Sequence, residues 1–178
     1  ILWGVPYQYY EFSALTGFSE TLFLKTAVLG IICGTAALLF VELVHRAAWL
    51  SVYLRNRFRV WPPLMPLGGG LLLALLILVI PTDYLGLSLP LMDRALAGEP
   101  MPYLGFLWKS LLVAITIGSG FYGGIVTPQF VIGAVAGSAF AHILGMDTVL
   151  GAAVGLSSVV AAASNTPIAA VLMGVELF

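Results

Sequence analysis

Gly118-Ser119-Gly120-Phe121-Tyr122-Gly123-Gly124-Ile125-Val126-Thr127-Pro128 lies between two long apolar stretches. Glycines at 118, 120, 123 and 124 are expected to permit torsions and close approaches that other residues forbid. Pro128 stands where a first helical turn accepts it, because the N–H it lacks would be unpaired there anyway. An apolar helix, Gln129–Leu144, follows directly. The segment therefore predicts a helix N-terminus, with the N–H groups of Ile125, Val126 and Thr127 pointing into a break. Such an end carries about half a positive charge and readily binds anions. A halide needs little more than a few donors and no full positive charge, so that it can also leave. The plain alternative is a glycine-rich turn between packed helices. The setting argues against it, because this break falls deep in apolar, charge-poor sequence.

That setting is the whole chain. Of 178 residues, 61% are hydrophobic and 8% charged, with a mean hydropathy of +1.07. Soluble domains carry about 25% charged residues to keep a folded surface wet, and this chain could not supply such a surface. The bilayer is its expected solvent. A net charge of −1 argues against nucleic acid or any polyanionic partner. Cys33 stands alone in an apolar run, which leaves no disulfide or metal framework. The chain opens at Ile1 without a basic stretch and stops at Phe178 inside an apolar helical pattern. It therefore reads as a piece cut at both ends.

Working outward, a first span is predicted over Thr21–Leu54, with an apolar core at Thr26–Val41. Gly30 and Gly34 there have the spacing of a helix-packing pair. The span exceeds what a perpendicular crossing needs and should tilt or protrude. Arg55, Arg57 and Arg59 follow in a stretch read as a cytoplasmic loop. Leu64–Ile80 forms a second segment, ending at Pro81, with a thin face at Gly68-Gly69-Gly70. A short helix is expected over Leu89–Leu96 and a third span over Tyr103–Ile117. Thr127–Leu144, Thr148–Ala163 and Thr166–Phe178 follow as further short helices, parted at Gly145-Met146-Asp147 and Ser164-Asn165. Unpaired backbone in hydrocarbon costs several kcal/mol per group, so broken helices are tolerated only where they are buried or line an aqueous path. Short, glycine- and proline-interrupted segments are the best sequence pointer to a transporter's binding site. The architecture points to permeation through a polytopic all-α membrane protein.

Gly124-Ile125-Val126-Thr127-Pro128 resembles the Gly-x-Phe-x-Pro signature of the chloride-channel (CLC) superfamily. The family context is present too: Gly118-Ser119-Gly120 upstream, and Phe130-Val131-Ile132-Gly133-Ala134 with Gly137 downstream. The run from Ala161 through Pro167 to Glu176 is similar to the family's late alanine-rich segment. Tyr84-Leu85-Gly86-Leu87-Ser88-Leu89-Pro90 fits the segment that precedes these helices. The resemblance implies an inverted-repeat helical fold of broken, tilted helices. Residues 21–178 would be its second repeat, behind an extracellular loop at 1–20. It also implies a homodimer with one pore per subunit, and halide transport coupled to protons or, alternatively, a passive chloride channel. A bacterial inner membrane is the implied location. Carried over by motif, the anion-binding residues are Gly123, Gly124, Ile125, Val126, Thr127 and Pro128. Gly118, Ser119, Gly120 and Lys109 would support them. The family's gating and proton-side glutamates, its first-half serine and its anion-contacting tyrosine would lie outside these residues.

One departure matters. The signature phenylalanine is Val126 here, and Thr127 precedes the proline. Val-Thr-Pro is similar to the branch that exports fluoride in exchange for protons. A smaller side chain with an added hydroxyl suits a small, strongly hydrated halide, which tips the reading towards fluoride over chloride. On the torsional argument, a β-branched residue at 124 is expected to abolish transport and leave the dimer intact.

Other polar residues read more plainly. Lys109 is expected either to lend positive potential to the anion path or to snorkel to an interface. Glu42 and His45, three apart on one face, suit a wetted face beside Arg46 better than a proton relay. Glu176 is read as structural, despite the functional default for intramembrane acids. His142 has no companion at ligand spacing, so neither metal nor cofactor is expected. Glu11, Glu20, Tyr7, Tyr9 and Tyr10 suit an interfacial loop. No nucleophile elbow, phosphate loop or carboxylate pair suggests an enzyme. The rivals are a non-transporting membrane bundle and another broken-helix transporter.

Overall fold

A computed structural model describes residues 20–59 and 61–178; the aromatic and acidic residues at 7–11 lie outside that range. Its helices are α1 (Glu20–Phe58), α2 (Leu64–Leu76), α3 (Leu89–Leu96), α4 (Gly105–Gly118), α5 (Val126–Ile143), α6 (Thr148–Ser164) and α7 (Pro167–Leu177). A 3-10 turn at Thr82–Tyr84 precedes α3. The described residues contain no strand, as the all-α reading expected.

Helix starts and stops follow local chemistry. Asp147 caps α6, accepting from the N–H groups of Val149 at 2.8 Å and Leu150 at 3.1 Å. Pro167 opens α7 in its first turn, where a missing N–H costs nothing. Asn165, in the left-handed conformation at φ 54°, closes α6. Two ends differ from the sequence expectation. The basic stretch at 55–59 is not a loop, since α1 runs on through Arg55 and Arg57 to Phe58. Cations are favourable in a last helical turn, where the backbone carbonyls carry negative potential. Conversely α2 stops at Leu76 and unwinds through Ile77–Val79 into Ile80. Pro81 follows, and a residue before proline is driven out of the α region.

The centre of the molecule is the antiparallel pair α5–α6. Twelve of the eighteen residues of α5 are buried, which makes it the innermost helix. Its glycines set the spacing. A Cβ on Gly133 would lie 2.6 Å from Gly155 O and from Leu156 Cα, and one on Gly137 would lie 2.8 Å from Gly155 Cα. These are backbone-on-backbone contacts that only glycine allows. The pair expected to do this on α1 does not. A Cβ at Gly30 would meet Ser158 Oγ at an ordinary 3.7 Å, and one at Gly34 would meet nothing within 4 Å.

One core cluster joins Tyr84, Leu91 and Leu96 to Val135 and Leu156, and a second joins Leu29, Cys33, Phe40, Ile132 and Val159. The outside is apolar as well. Phe23, Ile31, Leu67, Leu71, Leu78, Ile168 and Val175 are each more than three-fifths exposed, on a scale that marks a surface facing lipid or another protein rather than water. At about 1.5 Å per residue, α1 with its 39 residues is roughly 58 Å long, about twice a hydrocarbon core of ~30 Å. Both α1 and α5 are long and apolar enough to cross a membrane.

Candidate functional site

The glycine-rich segment divides its labour. Ser119 and Gly120 close α4: Gly120 takes φ 94°, its N–H bonds Ile117 O at 3.0 Å, and the Phe121 N–H reaches back to Thr116 O at 3.3 Å. This double closure requires a left-handed residue, and glycine adopts that conformation without strain. Phe121 to Gly124 then run as irregular, exposed backbone to Ile125, which stands at the N-cap position of α5.

At that N-terminus the first backbone bond within the helix is Gln129 N–H to Ile125 O, at 3.2 Å. The N–H groups of Ile125, Val126 and Thr127 donate to no partner among the described residues, and no side chain caps the helix. Ile125 and Val126 are 42% and 51% exposed, while Pro128 and Gln129 are buried. The helix thus presents an open, uncapped positive end, with its apolar body held in the core.

The structure corrects the reading of Gly123 and Gly124. Gly123 and Gly124 take no left-handed torsion, and a Cβ at either would meet nothing within 4 Å. The torsional reason for expecting a β-branched residue at 124 to abolish transport therefore fails. Gly118 is the constrained glycine instead. A Cβ there would lie 2.8 Å from the Ala47 carbonyl carbon, because α4 crosses α1 at that point.

Lys109 does not snorkel. It is 1% exposed, and its ammonium donates to Tyr84 O at 3.1 Å, Gly86 O at 2.6 Å and Ser88 Oγ at 2.8 Å. All three protons are engaged, so Lys109 clamps the turn that leads into α3 and keeps none for an anion. That turn includes Ser88 at φ 56°, a conformation L-residues rarely hold without support. Ser119 serves packing: its side chain fills the space beside Gly69 of α2.

Glu42 pairs with Arg46 at 2.7 Å on an exposed face, as a wetted surface would. His142 Nδ1 lies 3.4 Å from the Tyr103 hydroxyl. The structure also draws in a residue to which the sequence reading gave no role. Gln129 is 1% exposed, and its Oε1 accepts from Ser164 Oγ at 3.0 Å. This bond ties the start of α5 to the end of α6, and so to the break that opens α7. The available signal was a lone carboxamide immediately after the proline, in an otherwise apolar turn.

The family model described as voltage gated chloride channel matches residues 2–178. A chloride/fluoride channel protein of Pseudomonas syringae pv. tomato is 32% identical over 183 residues, covering 99% of this chain and 39% of that protein. The voltage-gated ClC-type chloride channel ClcB of Escherichia coli is 30% identical over 166 residues, covering 88% of this chain and 38% of its own length. The crystal structure of a CLC-type fluoride/proton antiporter superposes with a TM-score of 0.87 at 30% identity, covering 99% of this chain and 44% of that one. The chain thus spans about two-fifths of the length of these relatives. It belongs to the voltage-gated chloride channel (CLC) family, whose members are integral membrane proteins.

Proposed function

We propose that the full-length protein carries halide ions across a bacterial inner membrane, fluoride in preference to chloride, in exchange for protons. The carrying observation is the uncapped N-terminus of α5, where the N–H groups of Ile125, Val126 and Thr127 have no protein partner. Gly123 and Gly124 leave the approach to it unobstructed, and Pro128 sets the first turn. Partial charges suit a transported ion, because binding must be strong enough to enter and weak enough to leave. The direction of selectivity rests on Val126-Thr127-Pro128 and on relatives named for fluoride as well as chloride. Proton coupling rests on the antiporter likeness. A homodimer suits the apolar ridge Ile168, Val171, Leu172 and Val175, each at least 64% exposed on α7 and spaced to form one face.

The test is efflux from liposomes containing the full-length protein. Fluoride and chloride are each followed by ion-selective electrode, with and without a pH gradient. Fluoride efflux well above chloride, with linked proton movement, is the expected result. Chloride equal to fluoride would reduce Val126-Thr127 to ordinary variation. Flux without proton movement would mark a passive channel.

A further inference from the structure

Positive charge is gathered at one end of one helix. Four of the chain's seven lysines and arginines, Arg46, Arg55, Arg57 and Arg59, fall between residues 46 and 59, on the last turns of α1 and just past its end. The one carboxylate beside them, Glu42, already pairs with Arg46 at 2.7 Å. Four arginines less one glutamate leave a surplus of three positive charges on this stretch.

The order of side chains along α1 carries a second signal. The apolar run Thr26–Val41 comes first, then the aromatics Trp49 and Tyr53, then the arginines. A lipid presents the same order, from acyl chains through the interface, where aromatic rings settle, to the headgroup. Trp49, Tyr53 and Arg57 follow one another at intervals of four, which sets them on one helical face. The two rings stack, with centroids 5.4 Å apart and planes 14° apart. With Val52, Asn56 and Arg57 they line a notch of about 390 Å³. Trp49 to Arg57 is roughly 12 Å along the axis at 1.5 Å per residue. A tilted helix fits that rise to a headgroup layer roughly 5–8 Å deep.

We propose that this notch holds one anionic phospholipid of the cytoplasmic leaflet. Its phosphate lies against Arg57 and Asn56, and its glycerol and upper acyl carbons lie on the Trp49–Tyr53 stack. A guanidinium donates paired N–H groups to phosphate oxygens in a geometry that arginine matches and lysine does not. Arg55 and Arg59 stand off this face and contribute through their field, each cation near an anionic surface adding attraction. An acidic protein segment would satisfy the arginines but leave the aromatic stack on their membrane side without a purpose. A zwitterionic lipid would use the stack but not the surplus charge. An anionic lipid uses both.

The experiment uses the full-length protein in an uncharged detergent, titrated with phosphatidylglycerol or with phosphatidylcholine of the same acyl chains. Bound lipids are counted by native mass spectrometry, and the thermal midpoint is recorded alongside. Wild type should retain phosphatidylglycerol in preference to phosphatidylcholine. R57Q should weaken phosphatidylglycerol binding about fivefold, the worth of one cation at an anionic surface, and leave phosphatidylcholine unchanged. W49A should weaken both lipids alike, and R94Q, at an arginine far from the notch in sequence and already paired with two carboxylates, should weaken neither. Phosphatidylglycerol binding equal in R57Q and wild type overturns the inference. So does a wild type that shows no preference between the lipids. In that case a midpoint lowered by R57Q without any lipid present would assign the arginines to an acidic segment of the protein itself.

Discussion

At the scale of single residues, glycines that look alike in sequence do different work. Gly118 and Gly124 lie six positions apart in one motif, yet only Gly118 is pressed against a neighbouring helix. Gly118→Ala should therefore destabilise the protein by about 1–3 kcal/mol through overpacking at Ala47, seen as a lower thermal midpoint and poorer dimer recovery. Gly124→Ala should stay within about 0.5 kcal/mol of wild type. Any effect of that change on flux would then report directly on the anion path. Lys109→Met is the second residue-scale prediction. It strips three oxygens of a cationic donor and should cost about 1.5–3 kcal/mol or more, read as a lower midpoint. A functional cation would instead lose flux at unchanged stability. The sequence showed that Lys109 was unusual. It could not show that the three acceptors would fold back from residues 84–88, because that contact spans more than twenty positions of chain.

At the scale of elements, the α5–α6 contact is the most demanding part of the fold. Gly137→Ala would place a Cβ 2.8 Å from Gly155 Cα, with backbone on the far side and no flexible side chain to yield. It should cost about 1–3 kcal/mol, and Gly155→Ala should behave alike. Both changes should lower the thermal midpoint far more than Gly34→Ala, which has open space. Asp147→Ala should remove the cap of α6, at about 1 kcal/mol, with little effect on ion selectivity. The ends of α6 and α7 were legible in sequence because Asp147, Asn165 and Pro167 act on the backbone locally. The packing of α5 on α6 was less so. In sequence Gly133, Gly137, Gly151 and Gly155 looked no different from Gly30 and Gly34, and only the crossing point decides which glycines touch.

At the scale of the whole molecule, the exposed apolar surface and the length of α1 fit a bilayer better than water. With Arg55, Arg57 and Arg59 beyond its apolar core, the end of α1 should face the cytoplasm. A cysteine in place of Arg57 in the full-length protein should then react with a membrane-impermeant maleimide only when the cytoplasmic face is open. Labelling from the outside would reverse the assigned topology. Cys33 is buried and should add little background.

The bilayer as solvent, the helical class, the family and the place where α5 begins were all legible along the chain. Each of these follows from composition or from chemistry within a few residues: apolar content, proline in a first turn, glycine or asparagine after a last one. Which glycines are constrained, what Lys109 holds, and that Gln129 meets Ser164 across 35 positions of chain emerged from the packed fold. Those outcomes depend on where helices cross, and a crossing is fixed by the packing of many side chains together rather than by any motif read along the chain.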